Sequence, residues 1–196
     1  MILILYKKVR KIISIIFLFL VIVVNTFPQE MALPVSTQIQ IFQKVLSFNR
    51  SKIVNNPIIL GVIYQSKFRT SLNTAIEIEK YFQQNEVKVS GHLIKIQLID
   101  ILNEDLASAI HLYTPTYVYI APLKGYDIVS IHKLLAPLNI LTLSGLPQYA
   151  EDFNISVSIG INAGQPQIIL NRKSYMEEGA DFSSHLLKLK LVKIIE

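Results

Sequence analysis

The sequence predicts an α/β fold, a three-layer sandwich with a mostly parallel sheet and a C-terminal antiparallel β-hairpin at the sheet edge. Two patterns predict it. Between residues 58 and 143, apolar runs of strand length alternate with segments of helical periodicity, as in βαβ units with right-handed crossovers. Residues 156–162 then alternate polar and apolar side chains, and an extended run resumes at residues 167–170 after Asn-Ala-Gly-Gln-Pro. This second pattern predicts two strands joined by a short glycine-containing loop.

The first predicted elements are a helix and a buried strand. Ser36 or Thr37 can cap the helix, which ends near residues 48–50. Pro57 then opens the apolar run 58–64, rich in β-branched residues, which predicts a central strand covered on both faces. The helix carries its apolar side chains on one face: Ile39, Phe42, Val45 and Leu46.

Helices and strands alternate after this first strand. The spacing of apolar residues predicts a helix over residues 67–84 and a short helix after a cap at Asn103. Asp127 caps a further helix that extends to residue 138. The strands between these helices are predicted at residues 92–102, 116–120 and 140–143.

The C-terminal block has its own turn and cap signals. Pro166 has no N–H to donate and therefore belongs at the loop end of its strand. After Asn171, a short helical turn ends at Gly179, and Asp181 caps a terminal helix. Leucine and lysine alternate over residues 187–191, which would also suit a strand, but the Asp181 cap favours the helix.

Residues 156–189 resemble the C-terminal end of the YfiR family of bacterial periplasmic proteins. That family has a Gly-Ile-x-x-Gly-x-Pro-x-Ile-x-Ile-Asn hairpin, a short helix and then Gly-Ala-x-Phe-Ser-x-x-Leu-Leu-Lys-Leu. Weaker similarity at residues 44–50, 58–65 and 117–120 extends the resemblance over residues 38–194. The residues of this block that carry its turns, caps and packing are Gly160, Gly164, Pro166, Asn171, Gly179, Asp181, Phe182, Ser183, Leu186 and Leu187.

The resemblance implies a function through a protein partner. We expect a non-enzymatic exported regulator that binds and represses the periplasmic sensor domain of an inner-membrane signalling protein, such as a diguanylate cyclase or a kinase. A homodimer and a small ligand remain open as further partners. The alternative, from the sheet order and the strand-end loops, is a periplasmic small-ligand-binding module resembling one lobe of a solute-binding protein.

The N-terminal segment predicts export to the periplasm. Four cations, Lys7, Lys8, Arg10 and Lys11, precede thirteen uncharged residues at positions 12–24, the order of a secretory signal. Residues 25–32 lack a clear cleavage site, so an uncleaved N-terminal anchor stays open. We therefore predict a signal peptide or anchor at 1–27, a tether at 28–35 and a single YfiR-like domain at 36–196.

Charge and composition exclude some functions. The chain has 19 basic and 14 acidic side chains, but four of the basic ones precede residue 12 and all the acidic ones follow it. The remaining 15 basic side chains are scattered among the 14 acids, which argues against nucleic acid as a partner. With no cysteine in the chain, disulfides, thiol nucleophiles and thiolate metal sites are excluded.

The residues at the carboxyl ends of the predicted strands are the candidates for chemistry, because ligands bind there in open α/β sheets. They are residues 64–67, 121–127 and 144–147, which also serve as turns. Ser144 lacks the preceding glycine of a nucleophile elbow.

The histidines and acidic pairs lack the spacing of a metal site, so we interpret the histidines as isolated and the acids as solvated or helix-starting. The sequence thus predicts no catalytic, cofactor-binding or metal-binding residue. The side chains concerned are His92, His111, His132, His185, Glu104, Asp105, Glu151, Asp152, Glu177 and Glu178.

Overall fold

A computed structural model of the chain describes residues 33–51 and 57–196. The predicted leader at 1–27 and most of the predicted tether lie outside these residues. The helices are α1 Val35–Ser47, α2 Arg69–Gln84, α3 Leu106–Tyr113, α4 Ile128–Leu135, α5 Pro147–Asp152, α6 Arg172–Glu177 and α7 Ser184–Leu187, with a 3-10 turn at Ala136–Leu138. The strands are β1 Ile58–Tyr64, β2 Lys88–Val89, β3 His92–Asp100, β4 Tyr117–Ile120, β5 Leu141–Ser144, β6 Val157–Asn162, β7 Gln165–Asn171 and β8 Val192–Ile195.

The eight strands form one sheet in the order β2-β3-β1-β4-β5-β6-β7-β8. Neighbours from β3 to β6 are parallel, as is the β7–β8 pair, while β2–β3 and β6–β7 are antiparallel. The predicted α/β fold class is confirmed. The chain moves from β1 to β3 on one side and to β4 on the other, so the topological switch point lies between β1 and β4.

Helices cover both faces of the sheet. One core joins α1 and α2 to the face that carries Val62 of β1, and α6 and α7 contribute to the same core. The other joins α3, α4 and α5 to the face that carries Ile63. Because neighbouring residues of a strand point to opposite faces, an apolar run such as β1 supplies both cores.

Before the hairpin, the helix caps confirm one prediction and correct two. Asp127 accepts a hydrogen bond from Val129 N at 3.1 Å, as predicted. The cap predicted at Ser36 or Thr37 is wrong, because α1 already begins at Val35 after Pro34. The cap predicted at Asn103 is also wrong. The side chain of Asn103 donates to Asp100, and Asp105 caps α3 by accepting from Ser108 N at 2.9 Å.

The predicted hairpin is present, with a tighter loop than expected. Ala163 and Gly164 form the two-residue connection, and both have positive φ, 49° and 76°. This combination is that of a type I′ turn. Pro166 lies inside β7 opposite Ile161. Since β8 pairs with β7 only from Ile168 onwards, the proline is tolerated where the outer edge of its strand is open.

The C-terminal segment corrects the predicted terminal helix. Helix α7 has four residues, and the chain then forms strand β8 at the sheet edge, so the hairpin lies one strand inward. Asp181 does not cap α7. Its N–H donates to Asn49 Oδ1 at 3.0 Å, its carbonyl accepts from Arg50 N at 2.8 Å, and Ser183 stands at the cap position. Pairing with residues 49–50 keeps the chain extended past Asp181.

Among the described residues, no helix has both the length and the apolar character needed to cross a membrane.

The strained residue of the hairpin turn yields a stability prediction. Alanine at a left-handed φ costs about 1 kcal/mol relative to glycine, so Ala163→Gly should stabilise the protein by about that amount. Urea unfolding measures the change. The control is Ala107→Gly in helix α3, where glycine should instead destabilise by about 0.5–1 kcal/mol. Destabilisation by both substitutions would contradict the turn assignment.

Candidate functional site

The crevice at the switch point is bridged by two hydrogen bonds between the chain's own groups. Gln65 follows β1, and its amide makes two hydrogen bonds to the backbone of Lys124 beyond β4. Gln65 Nε2 donates to Lys124 O at 3.1 Å, and Lys124 N donates to Gln65 Oε1 at 2.8 Å. Gln65 is 7% exposed. The side chain therefore bridges the place where a ligand binds in related sheet architectures.

Asp100 organises the neighbouring turn at the end of β3. It accepts hydrogen bonds from Ser66 N at 3.1 Å, from Leu102 N at 3.2 Å and from the side chain of Asn103. Burial on its own would raise the pKa of the Asp100 carboxyl, but these hydrogen bonds outweigh it and lower the pKa. Two of these donors belong to the turn that follows β3, and Ser66 belongs to the turn that follows β1. Asp100 therefore holds these two turns together, which supports the structural interpretation of residues 64–67.

Ser144 is a structural hydroxyl. It is fully buried, donates to Ile120 O at 3.0 Å and accepts from Leu146 N at 3.2 Å. A catalytic serine needs a base within hydrogen-bond reach and access to substrate. In the described part of the chain, Ser144 has no such base and no access to substrate. Its hydroxyl instead joins the ends of β4 and β5.

A buried polar cluster lies at the opposite, amino-terminal end of β5 and β6. Its centre is Glu178, which is 2% exposed. Glu178 Oε2 accepts from Thr142 N at 2.8 Å and from the Ser156 hydroxyl, while Glu178 Oε1 accepts from Thr142 Oγ1 at 2.8 Å. The same Oε1 lies 2.9 Å from His132 Nδ1. The far ring nitrogen, His132 Nε2, lies 2.9 Å from Glu177 Oε2.

Each member of this cluster comes from a different element. His132 lies in the last turn of α4, Thr142 on β5 and Ser156 immediately before β6, while Glu177 ends α6 and Glu178 follows it. The β5–β6 ladder begins only at Leu143 and Val157. The Glu178 carboxylate thus accepts hydrogen bonds from groups of Thr142 and Ser156, which lie before the first pair of the β5–β6 ladder.

The geometry determines the protonation of His132. A neutral imidazole has one N–H, whereas both ring nitrogens here face carboxylate oxygens and both need to donate. Hydrogen bonding to Glu178, and to a lesser degree to Glu177, raises the pKa of His132 against the opposing effect of its burial. The position in the last turn of α4 favours a cation as well. This geometry favours the imidazolium form of His132, which can donate to both carboxylates.

A shallow groove of about 470 Å³ opens beside this cluster. His132 and Glu177 form part of its wall, and Lys133 and Lys173 bring two cations to it. The groove is thus lined by both basic and acidic side chains. Its remaining lining residues are Ala136, Pro137 and Asn154.

The cluster is built for hydrogen bonding. In residues 33–51 and 57–196, no group of three or more histidine, aspartate or glutamate side chains has the arrangement of a metal site. The carboxylate oxygens of Glu177 and Glu178 lie against the two ring nitrogens themselves. The chemistry that this arrangement supports is gain and loss of a proton at His132.

The interpretation of Glu177 and Glu178 as solvated charges is wrong for Glu178, and His132 is not an isolated histidine. The other candidates are placed as simpler structural groups. His111 and His185 are exposed, and His92 is half-buried at the start of β3. Glu151 pairs with Lys193 at 2.7 Å, Glu104 accepts from Asp100 N at 3.0 Å, and Asp152 is exposed.

One sequence signal could have indicated the cluster. Two carboxylates at the C-terminal end of a helix face the negative end of its dipole, which is unfavourable unless a cation compensates. Glu177 and Glu178 stand at that end of α6, immediately before Gly179. The pattern predicts a cationic partner, although nothing local identifies His132, 46 residues from Glu178.

The glycine and asparagine residues of the C-terminal block hold turns and close contacts. A side chain at Gly160 would meet Pro147, and Gly179 has φ +74° with Asn139 close by. Asn171 caps α6 by accepting from Ser174 N at 3.1 Å, and it donates from Nδ2 to Ala150 O at 3.0 Å. These positions serve the fold.

The rest of the block packs the C-terminal segment against the sheet and α1. Phe182 contacts the ring of Tyr175 edge-on, with centroids 5.1 Å apart, and Leu186 is buried in the same core. Ser183 N donates to Phe48 O at 3.0 Å, and Leu187 is partly buried. None of these four residues contributes to the Glu178 cluster.

No family model fits the chain, and no curated protein has a significantly similar sequence. The resemblance of residues 156–189 to the YfiR family stays a prediction.

The two glutamates should differ sharply in their effect on stability. Glu178→Gln removes a fully buried charge from beside an imidazolium and should cost about 3–5 kcal/mol of unfolding free energy. Glu177→Gln changes a side chain that is 45% exposed and should cost less than about 1 kcal/mol. Urea unfolding of both variants measures the difference, and equal costs would show that Glu178 is not the centre of the cluster.

Proposed function

We propose that this chain is a non-enzymatic exported regulator that binds and represses the periplasmic sensor domain of an inner-membrane signalling protein, such as a diguanylate cyclase. Two features of the sequence support the proposal: the secretory pattern of residues 1–27 and the YfiR-like block at residues 156–189. A third comes from the fold. The serine and the strand-end loops considered for catalysis are occupied by structural hydrogen bonds.

The observation that carries the proposal is a set of three exposed apolar residues, close in sequence at the sheet edge and called here the apolar row. Leu189, Leu191 and Ile194 are 36%, 43% and 39% exposed. They lie on or just before β8, which ends the sheet and has no strand on its outer side within the described residues. An open edge with exposed apolar side chains is a place where another protein can pair or pack.

The charges around this row indicate the character of the partner. Lys188 and Lys190 flank Leu189, are exposed and form no ion pair with another described residue. A matching surface would therefore have an apolar centre and an acidic rim. A periplasmic sensor domain with such a surface is the partner that we propose.

Repression needs no chemistry on the nucleotide itself. If the chain binds the inactive conformation of the sensor better than the active one, the population shifts towards the inactive conformation by that difference in affinity. The cytoplasmic output, cyclic di-GMP in the case of a cyclase, then falls. Release of the chain restores the output.

The small-ligand alternative has less support in the geometry. The switch-point crevice that such a ligand would use is bridged by Gln65 and Lys124. The groove beside His132 is shallow, and its cations Lys133 and Lys173 stand near Glu177. Thermal-shift screening discriminates the two functions, since a specific ligand at 100 times its Kd adds about 2.7 kcal/mol of stability.

Co-purification tests the proposed function. The full chain, with its leader and a C-terminal tag, is expressed in its own host, and detergent-solubilised membranes are passed over the tag resin. We expect recovery of a membrane protein that has a periplasmic domain and a cyclase or kinase domain. Deletion of the gene should raise the activity of that protein. Recovery of no such protein from cells that express one would contradict the proposal.

Substitutions in the apolar row should weaken this contact. Leu191→Asp and Ile194→Asp place charge at the centre of the proposed surface, so we expect at least about tenfold weaker binding to the recovered partner. Leu112→Asp is the matched control, because Leu112 is 73% exposed on α3, outside the apolar row. Thermal unfolding checks that all three variants fold. Equal binding by the control and the two edge variants would exclude the β8 edge.

A further inference from the structure

The Glu178 cluster joins two parts of the chain through one side chain. His132 belongs to α4 in the helical layer that covers one face of the sheet. Glu177 and Glu178 belong to α6 and the residue after it, from which the chain continues through α7 to β8. Both carboxylates contact the same imidazole. The imidazole therefore connects α4 to the start of the C-terminal segment 172–196.

Charged side chains face His132 from α6, from the end of α6 and from α4 itself. From α6 and its end come Glu177, Glu178 and the cation Lys173, while α4 itself contributes Lys133. The starts of β5 and β6 contribute neutral groups to the cluster. His132 is the cation in direct hydrogen-bond contact with Glu178, which is otherwise held by uncharged donors.

Loss of the His132 proton breaks this arrangement on one side. A neutral imidazole keeps one N–H, and the buried Glu178 is the acceptor that most needs it. The lone pair of His132 Nε2 then points at the Glu177 carboxylate, which is half exposed and is free to turn into solvent. At the same time, the buried Glu178 carboxylate loses the positive charge of the neighbouring His132 ring. A buried carboxylate without a counter-charge is unfavourable, so the last turn of α6 becomes less stable.

We propose that His132 is a proton-operated latch, which holds α6 and the residues after it against α4 and β5 when protonated and lets the last turn of α6 open when deprotonated. The inference depends on the contacts of the cluster and holds whether or not the proposed function is correct. It adds a pH response to a segment that ends in the exposed edge strand.

The direction of the pH response follows from linkage. The pKa of His132 is raised in the folded protein, chiefly by its hydrogen bond to Glu178. The stabilisation by the latch is therefore fully present below the ordinary histidine pKa of about 6.5 and is lost as the pH rises through the raised value. The latch closes at acidic pH and opens at alkaline pH.

Amide hydrogen exchange tests the latch at the level of single residues. Three amides report on the last turn of α6: Glu178 N donates to Ser174 O, Gly179 N to Met176 O and Ala180 N to Tyr175 O. Protection factors, corrected for the intrinsic exchange rate, are measured on the full chain from about pH 6 to about pH 9. We expect them to fall by up to about tenfold per pH unit above the ordinary histidine range. Amides of β1 and β4 should keep constant protection.

Two variants separate the latch from a general effect of pH. His132→Gln removes the titrating group and should abolish the pH dependence at α6, while the control His111→Gln, at an exposed position, should preserve it. If His132→Gln fails to fold, Glu177→Gln serves instead. Its amide can donate to a neutral imidazole, so the fall in protection should be weaker.

Three results would overturn the latch. The first is protection at α6 that does not change with pH, and the second is an unchanged pH dependence in His132→Gln or, if that variant does not fold, in Glu177→Gln. The third is an equal fall of the protection factors in β1 and β4.

Discussion

The structure depends on how one buried carboxylate is satisfied. Glu178 is fully buried as a side chain and is held by the Thr142 backbone, two hydroxyl groups and the His132 ring. An unpaired buried carboxylate would cost several kcal/mol, so these partners must be in place together. Because they come from α4, β5, the start of β6 and the end of α6, folding of the C-terminal half requires these elements to meet at one point.

Local patterns account for much of the fold. The apolar run of β1, the stripe of α1 and the hairpin loop each have a signal within a few residues, and the structure contains all three. Strand β8 has no sufficient local signal, because it is defined by its pairing with β7. Asp181 resembles a helix cap in the sequence, but its backbone groups bind Asn49 and Arg50 instead. Both features depend on long-range pairing, which a short sequence window does not contain.

The site could be predicted far less well. The residues of the strand-end loops can be identified from the sequence, but the hydrogen bonds between Gln65 and Lys124, 59 positions apart, cannot. His132 and Glu178 are 46 positions apart and meet only because the last turn of α4 and the end of α6 come together at the amino-terminal end of β5 and β6. A pair of acids at a helix C-terminus indicates that a cation is near. It does not indicate which one.

The central claim is that His132 is doubly protonated between two carboxylates, and the nitrogen NMR spectrum of its ring tests this most directly. In a chain labelled with nitrogen-15, both ring nitrogens of His132 should carry a proton at about pH 6.5, the ordinary histidine pKa, because the pKa of His132 is raised by its hydrogen bond to Glu178. A bare Nδ1 or Nε2 in His132 at that pH would contradict the account, because one of the two carboxylate contacts would then face a lone pair.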